Sequence, residues 1–300
     1  MKPRHFISIT NLEEKEIWDI LKLAIKLKQS SISKYYRLLS NRTLVMIFEK
    51  PSLRTRLSFE IGMTQLGGHA IYLAPTDISM GKRESVADVA KVTSRMADII
   101  MARTFEHSTV EELAINSSVP VINGLSNLEH PCQTLADLMT IYEVKKKLRN
   151  LKVAYVGDCE NNVTHSLALA GKVLGYKFAA AGPKGYWMDK GIAKRSRSRQ
   201  LVKPEDAVRG ADVVITDTWV SMGDEAERRK RLKIFNKYQV NQKLMKLAEK
   251  DAIFMHCLPA YRDSEVESEV IDGPQSVVFQ EAENRLHTQK ALILFLLGRF

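Results

Sequence analysis

An α/β fold of two doubly wound parallel-sheet domains facing across a cleft is what this sequence predicts, from three observations. Short apolar runs alternate with helical patterns almost throughout the 300 residues, the mark of βαβ units and hence of parallel sheets covered by helices. That length suits about two domains of ~150 residues each. The first series of runs ends in the charged stretch Lys145-Lys146-Lys147-Leu148-Arg149-Asn150, which divides the chain into a domain over 1–147 and a second over 148–285.

The elements follow in order. Leu44–Phe48 reads as a buried strand, and the segment Leu57–Leu66 as an amphipathic helix with Leu57, Ile61 and Phe59, Met63, Leu66 at helical spacings. Ser52 is then a natural N-cap. Strands at Ala70–Leu73, Ile99–Ala102 and Val119–Ile122 alternate with helices around Glu84–Met96 and Val110–Asn116, and a helix beginning near Cys132 leads to the boundary. The second series opens with Lys152–Val156 and a helix to Leu174 stopped by Gly175. It continues with strands at Lys177–Ala181, Val213–Thr216, Ile253–Met255 and Val277–Phe279, and a last helix, Leu286–Leu297 within 286–300, is expected to return to the first domain.

Pro51-Ser52-Leu53-Arg54-Thr55-Arg56 places cations where helix physics disfavours them. A helix N-terminus already carries about half a positive charge, so arginines in its first turn each cost on the order of 0.3–1 kcal/mol. A docked anion reverses the sign: backbone N–H groups, the Ser52 and Thr55 hydroxyls and a guanidinium fork then converge on it. Polar residues also gather at other strand ends. Arg103 follows Ile99–Ala102, Asp217 follows Val213–Thr216, His256 and Cys257 follow Ile253–Met255, and Asp158, Asn161 and Asn162 follow Lys152–Val156. Ligands of open α/β sheets bind beyond the carboxyl ends of strands, so these groups are expected to line one cleft.

Composition limits the alternatives. Hydrophobic content is 45%, ordinary for a globular core, and no run approaches the ~18 apolar residues of a membrane span. The N-terminal residues lack the apolar stretch of a signal peptide, so a cytoplasmic protein is expected. Cys132, Cys159 and Cys257 have no paired spacing, which predicts free thiols, no disulfide framework and no metal site. The net charge of +10 invites a nucleic-acid reading. The basic runs, Lys184 to Lys203, with Lys194 to Arg199 at its heart, and Arg228 to Arg231, carry almost no aromatic residues for base stacking and fit solvated faces better. Gly157-Asp158-Cys159-Glu160-Asn161-Asn162 opens the second domain without the further glycines of a dinucleotide-binding turn, which counts against an oxidoreductase.

Four segments in one order, Phe48 to Arg56, His130-Pro131-Cys132-Gln133, Asp217 to Gly223 and His256-Cys257-Leu258-Pro259, resemble the aspartate/ornithine carbamoyltransferase family, and the resemblance extends to Glu281 through His287. The last two of the four look closest to its ornithine-using branch. The resemblance implies that Ser52, Leu53, Arg54 and Thr55 hold the phosphate of carbamoyl phosphate, with Arg103 bridging phosphate and carbonyl oxygen. Thr55, Arg103 and His130 would stabilise the oxyanion, Gln133, Cys257 and Leu258 would hold the carbamoyl amide, and Arg285 would complete the anion site. Around ornithine it places Asn162, Asp217, Ser221 and the Met222 backbone, with Asn161 a competitor for the role of Asn162. Asp217 and Cys257 are candidates for easing proton loss from the attacking amine.

Ser79 stands where many ornithine enzymes carry a glutamine that reaches a neighbouring subunit, and with Lys82 it looks closer to the loop of the aspartate enzymes, so Ser79 is a further candidate phosphate contact. The resemblance also implies a homotrimer or an assembly of trimers and the transfer of a carbamoyl group to the δ-amine of ornithine. Putrescine or an acylated ornithine is the alternative acceptor. No cofactor is implied, because carbamoyl phosphate is already activated.

Overall fold

Apolar runs without polar alternation make strands buried on both faces, and parallel sheets are where such strands go. The computed structural model describes residues 3–78, 80–81, 83–221 and 225–299. It divides into two units, Met1–Met139 with Glu283–Phe300, and Thr140–Ala282.

In the first unit the order is Glu14–Gln29 (α1), Thr43–Phe48 (β1), Leu53–Gln65 (α2), His69–Leu73 (β2), Pro75–Ile78 (α3), Val86–Thr93 (α4), Ile99–Arg103 (β3), His107–Asn116 (α5), Val121–Leu125 (β4) and the start of Pro131–Lys145 (α6). Its sheet is four-stranded, ordered β2-β1-β3-β4 and parallel throughout. Val45, Ile47, Ile100 and Ala102 meet Val89, Ala90, Val110 and Leu113 of α4 and α5 in a buried cluster. The second unit runs through Lys152–Val156 (β5), Asn162–Leu174 (α7), Lys177–Ala181 (β6), Lys190–Ser196 (α8), Arg199–Leu201 (β7), Pro204–Val208 (α9), Val213–Thr216 (β8), Arg228–Phe235 (α10), Gln242–Met245 (α11), Ile253–His256 (β9), Ser268–Ile271 (α12) and the first residues of Val278–Leu296 (α13). Its five strands lie in the parallel order β7-β6-β5-β8-β9. The chain changes unit inside α6 and changes back inside α13.

Both sheets are doubly wound, and the end of α13 belongs to the first unit as expected. Three details differ from the sequence reading. Val277–Phe279 is not a strand: Ser276 makes a single parallel bridge to Phe254 and the chain then enters α13 at Val278, so the last helix begins well before Leu286. The helix formers from Gln280 onward outweigh the three apolar residues before them. Arg199–Leu201 is a strand that its charge concealed. On α2, Phe59, Met63 and Leu66 are buried, whereas Leu57 and Ile61 are exposed, so only one of the two apolar rows faces the core.

Candidate active site

Strand order reverses between β1 and β3 in the first sheet, and the loops leaving their carboxyl ends diverge there. One of those loops leads into Ser52, and β3 itself ends in Arg103. Ser52 caps α2: its hydroxyl accepts from the Thr55 N–H at 3.3 Å and donates to the Thr55 hydroxyl at 3.0 Å. The Leu53 and Arg54 N–H groups, in the first turn, have no intrahelical acceptor. The Leu53 side chain is exposed, so its contribution is its backbone.

Arg285 of α13 reaches the same place. It donates from Nη2 to the Thr55 hydroxyl at 3.2 Å and from Nη1 to Gln133 Oε1 at 2.6 Å. Gln133 in turn donates to Asp137 Oδ1 at 2.8 Å, and the Gln289 amide, with its oxygen turned to Arg285, accepts from Nε and Nη2 at 3.0 Å each. Arg103, His130, Gln133 and Arg285 are all buried. Burial, followed by the charges of Arg285, Arg103 and Arg54, holds His130 well below the ordinary histidine pKa, so its imidazole is neutral. Three guanidiniums around a neutral ring form a strongly positive pocket that suits a phosphate and a developing oxyanion. Arg56 is not part of it: it pairs with Glu60 at 3.0 Å and lies over the Tyr72 ring at 4.1 Å.

The second sheet reverses between β5 and β8. Asp217, immediately after β8, is buried, and its Oδ1 accepts from the Thr218 N–H at 2.8 Å and the Cys257 thiol at 3.2 Å. Burial raises its pKa, opposed by His256 and by those two donors. Asn161 Nδ2 donates to the Tyr155 hydroxyl at 2.6 Å and lies 3.5 Å from Asp217 Oδ2, while its Oδ1 accepts from the Thr164 N–H and hydroxyl at 2.9 and 3.0 Å. Asn161 is thus the cap of α7, committed at both ends of its amide. Asn162 is half-buried at the first helical position, and Ser221 is half-buried in the segment after β8.

His256 shapes the turn that carries Cys257 and Leu258. Its Nδ1 accepts from the Leu258 N–H at 2.9 Å, so Nε2 bears the proton and faces Glu265 Oε1 at 3.3 Å, which also accepts from the Tyr261 N–H at 2.6 Å. Possible ligand atoms of Asp217, His256 and Cys257 lie within 4.8 Å of one another. Both ring nitrogens of His256 are engaged, so a metal there would have to displace one of these bonds.

Of the residues singled out by sequence, the first unit brings together Ser52, Leu53, Arg54, Thr55, Arg103, His130, Gln133 and Arg285. The second brings together Asn161, Asp217 and Cys257, so Cys257 and Leu258 belong to a different unit from the other candidate carbamoyl phosphate contacts. Ser79, Lys82 and Met222 lie outside the described residues. Sequence reasoning passed over Asp137, Gln289, Tyr155 and Glu265, which hold the named residues in place; the four-residue spacing of Asp137 from Gln133 and of Gln289 from Arg285 was the available signal for the first two.

The family model for the carbamoyl-P binding domain of aspartate/ornithine carbamoyltransferases matches residues 4–143, and that for the Asp/Orn binding domain matches 149–296. The chain is 51% identical to an ornithine carbamoyltransferase of Pyrococcus abyssi, over 99% of this chain and 97% of that one. The structure of ornithine carbamoyltransferase from Pyrococcus furiosus is similar with a TM-score of 0.94 at 49% identity, covering 99% of this chain and 98% of that one. An anabolic ornithine carbamoyltransferase from Campylobacter jejuni is similar at 0.93 and 40% identity, with 100% of both chains covered.

Proposed function

The chain belongs to the aspartate/ornithine carbamoyltransferase family, and we propose that it transfers the carbamoyl group of carbamoyl phosphate to the δ-amine of L-ornithine, giving L-citrulline and phosphate. The observation that carries this reading is the opposite character of the two strand-end sets. One gathers Arg54, Arg103 and Arg285 around a neutral His130, whereas the other presents the buried carboxylate of Asp217. A buried carboxylate calls for a cationic partner: ornithine attacks through its δ-amine and keeps its α-ammonium for that role, whereas the only amine of aspartate is the nucleophile and must be neutral.

In this mechanism the Leu53 and Arg54 N–H groups, Ser52, Thr55 and Arg103 hold the phosphate. The neutral δ-amine attacks the carbamoyl carbon, and Thr55, Arg103 and His130 meet the negative charge that builds on the carbonyl oxygen, where one such donor is worth about 2.7–4 kcal/mol. The carbon–oxygen bond to phosphate then breaks, and the amine gives up a proton to the departing phosphate or to Asp217, to which the Cys257 thiol already donates. Gln133 and the backbone at Cys257 and Leu258 hold the carbamoyl amide, Arg285 completes the anion pocket, and Asn162, Ser221 and the Met222 backbone take the α-carboxylate and α-amino groups.

The same reading makes the enzyme a cytoplasmic homotrimer. The free thiols of Cys132, Cys159 and Cys257 suit a reducing compartment. The exposed row of Leu57 and Ile61 on α2 offers apolar surface to a second copy. The test is phosphate release from carbamoyl phosphate, with the carbamoylated product identified, across a panel of ornithine, aspartate, putrescine and N-acetylornithine. Preference for ornithine is expected, and a preference for any other acceptor overturns the assignment.

A further inference from the structure

Two turns flank the point where the second sheet reverses: Gly157–Asn161 after β5 and Asp217–Ser221 after β8. The proposed ornithine contacts Asn162, Asp217 and Ser221, on these turns or directly after them, need a fixed spacing between them. Arg231, from α10, joins the two turns. Its Nη2 donates to Asp158 Oδ2 in the first, and its Nε donates to the carbonyl of Trp219 in the second at 2.5 Å. Both ends of this connection are buried, with Arg231 at 5% and Asp158 at 4% exposure.

The surroundings leave the guanidinium little freedom. Its carbon lies over the Tyr186 ring at 5.1 Å and the Phe235 ring at 5.4 Å, and Trp219 stacks on the same Phe235 with centroids 5.9 Å apart and planes at 21°. Asp158 uses its other oxygen, Oδ1, to accept from the Glu160 N–H at 3.0 Å, which shapes the entry to α7. Gly157 sits at φ +131°, and a Cβ there would come to 3.3 Å from both Trp219 Nε1 and Thr216 Oγ1, so the first turn is cut to let the second pass. A buried ion pair adds little net stability compared with apolar packing, but moving or removing one partner alone is costly, so the pair holds its geometry.

We propose that Arg231 is a positioning residue for the acceptor. By clamping Asp158 to the Trp219 carbonyl, it sets the distance between the α7 entry, which carries Asn162, and the segment Asp217–Ser221. The proposal rests on the ornithine reading above and adds to it a residue that touches neither substrate. It predicts that loss of the clamp is felt in acceptor binding and not in carbamoyl phosphate binding.

The test uses full-length enzyme with Arg231→Gln, Arg231→Lys, Asp158→Asn and the double variant R231Q/D158N. The last removes both charges of the pair together and so keeps the fold available for measurement. The expected result is an ornithine KM raised tenfold or more in R231Q and D158N, a carbamoyl phosphate Kd within twofold of wild type, and kcat changed less than KM. R231K recovers part of the loss, and the double variant is no worse than the poorer single one, because one clamp can be lost only once. A folded double variant with wild-type ornithine KM overturns the proposal, as does equal loss of both ligands, which indicates general loosening. If wild-type enzyme does not carbamoylate ornithine, the functional reading itself has failed. An active wild type with an unaffected clamp variant sinks the positioning role alone.

Discussion

The thiol of Cys257 donates to Oδ1 of Asp217 at 3.2 Å, tying the end of β9 to the end of β8. The carboxylate is buried, and its other oxygen, Oδ2, faces Asn161 at 3.5 Å. A hydrogen bond to a charged partner is worth about 1.5–3 kcal/mol. Asp217→Asn should therefore raise the ornithine KM by roughly 10- to 150-fold while leaving carbamoyl phosphate binding near wild type. Calorimetric titration of each ligand separates the two, and parallel loss of both points to a structural role.

Arg54 stands in the first turn of α2 beside the capped Ser52 and Thr55. Arg54→Ala should cost on the order of 2–4 kcal/mol of transition-state stabilisation, a fall in kcat/KM of about 30- to 1,000-fold, with an unchanged circular dichroism spectrum. Activity within a few-fold of wild type removes Arg54 from the anion site.

The pH profile follows from two groups. An alkylamine such as the ornithine side chain has a pKa near ~10.4 and attacks only when neutral, so kcat/KM for ornithine should rise about tenfold per pH unit through neutrality. His130 is held neutral by burial and three arginines and adds no inflection between mild acid and pH 8. A profile that falls as pH rises through the ordinary histidine range would show that a protonated His130 is required.

Lys290 is fully buried on α13, donating to Gln65 Oε1 at 2.8 Å, with its pKa pushed down by burial to about 8. The folded state thus favours the neutral amine. The cost of burying the charge is present in full below pH 8, shrinks as pH rises, and vanishes above the unfolded value of 10.5. Lys290→Met should stabilise the protein at pH 7 on the order of 1 kcal/mol, roughly 2–4 °C in melting temperature, and lose that advantage above about pH 10. Melting curves across pH would contradict this if the gain were the same at every pH.

Gly157 should tolerate no side chain. At φ +131° with Trp219 and Thr216 at 3.3 Å, Gly157→Ala is expected to destabilise the second unit by about 1–3 kcal/mol, read from urea unfolding. An unchanged midpoint would mean that the two turns can move apart freely.

Strands β5, β6 and β8 were legible to the residue, because fully buried parallel strands read as unbroken apolar runs. The short edge strand β7 was not, since Arg199 and Gln200 obey solvent as much as the sheet. Ser52 as a helix cap needed only local pattern. The cap role of Asn161, with its amide bonded to the Tyr155 hydroxyl and close to Asp217, needed coordinates. Arg231 was read as part of a solvated basic run, yet it is buried against Asp158, which lies 73 positions away. Contacts at that separation leave no trace in periodicity or spacing.

The bond from Arg285 to Thr55 spans 230 positions. During synthesis, Ser52, Thr55, Arg103 and His130 all emerge long before the stretch of α13 that bears Arg285. A growing chain can thus lay down its first sheet early but cannot complete the cationic pocket until translation has passed residue 285. On the proposed reading, tight retention of carbamoyl phosphate becomes a property of a chain made at least that far, and an interrupted product is left without it.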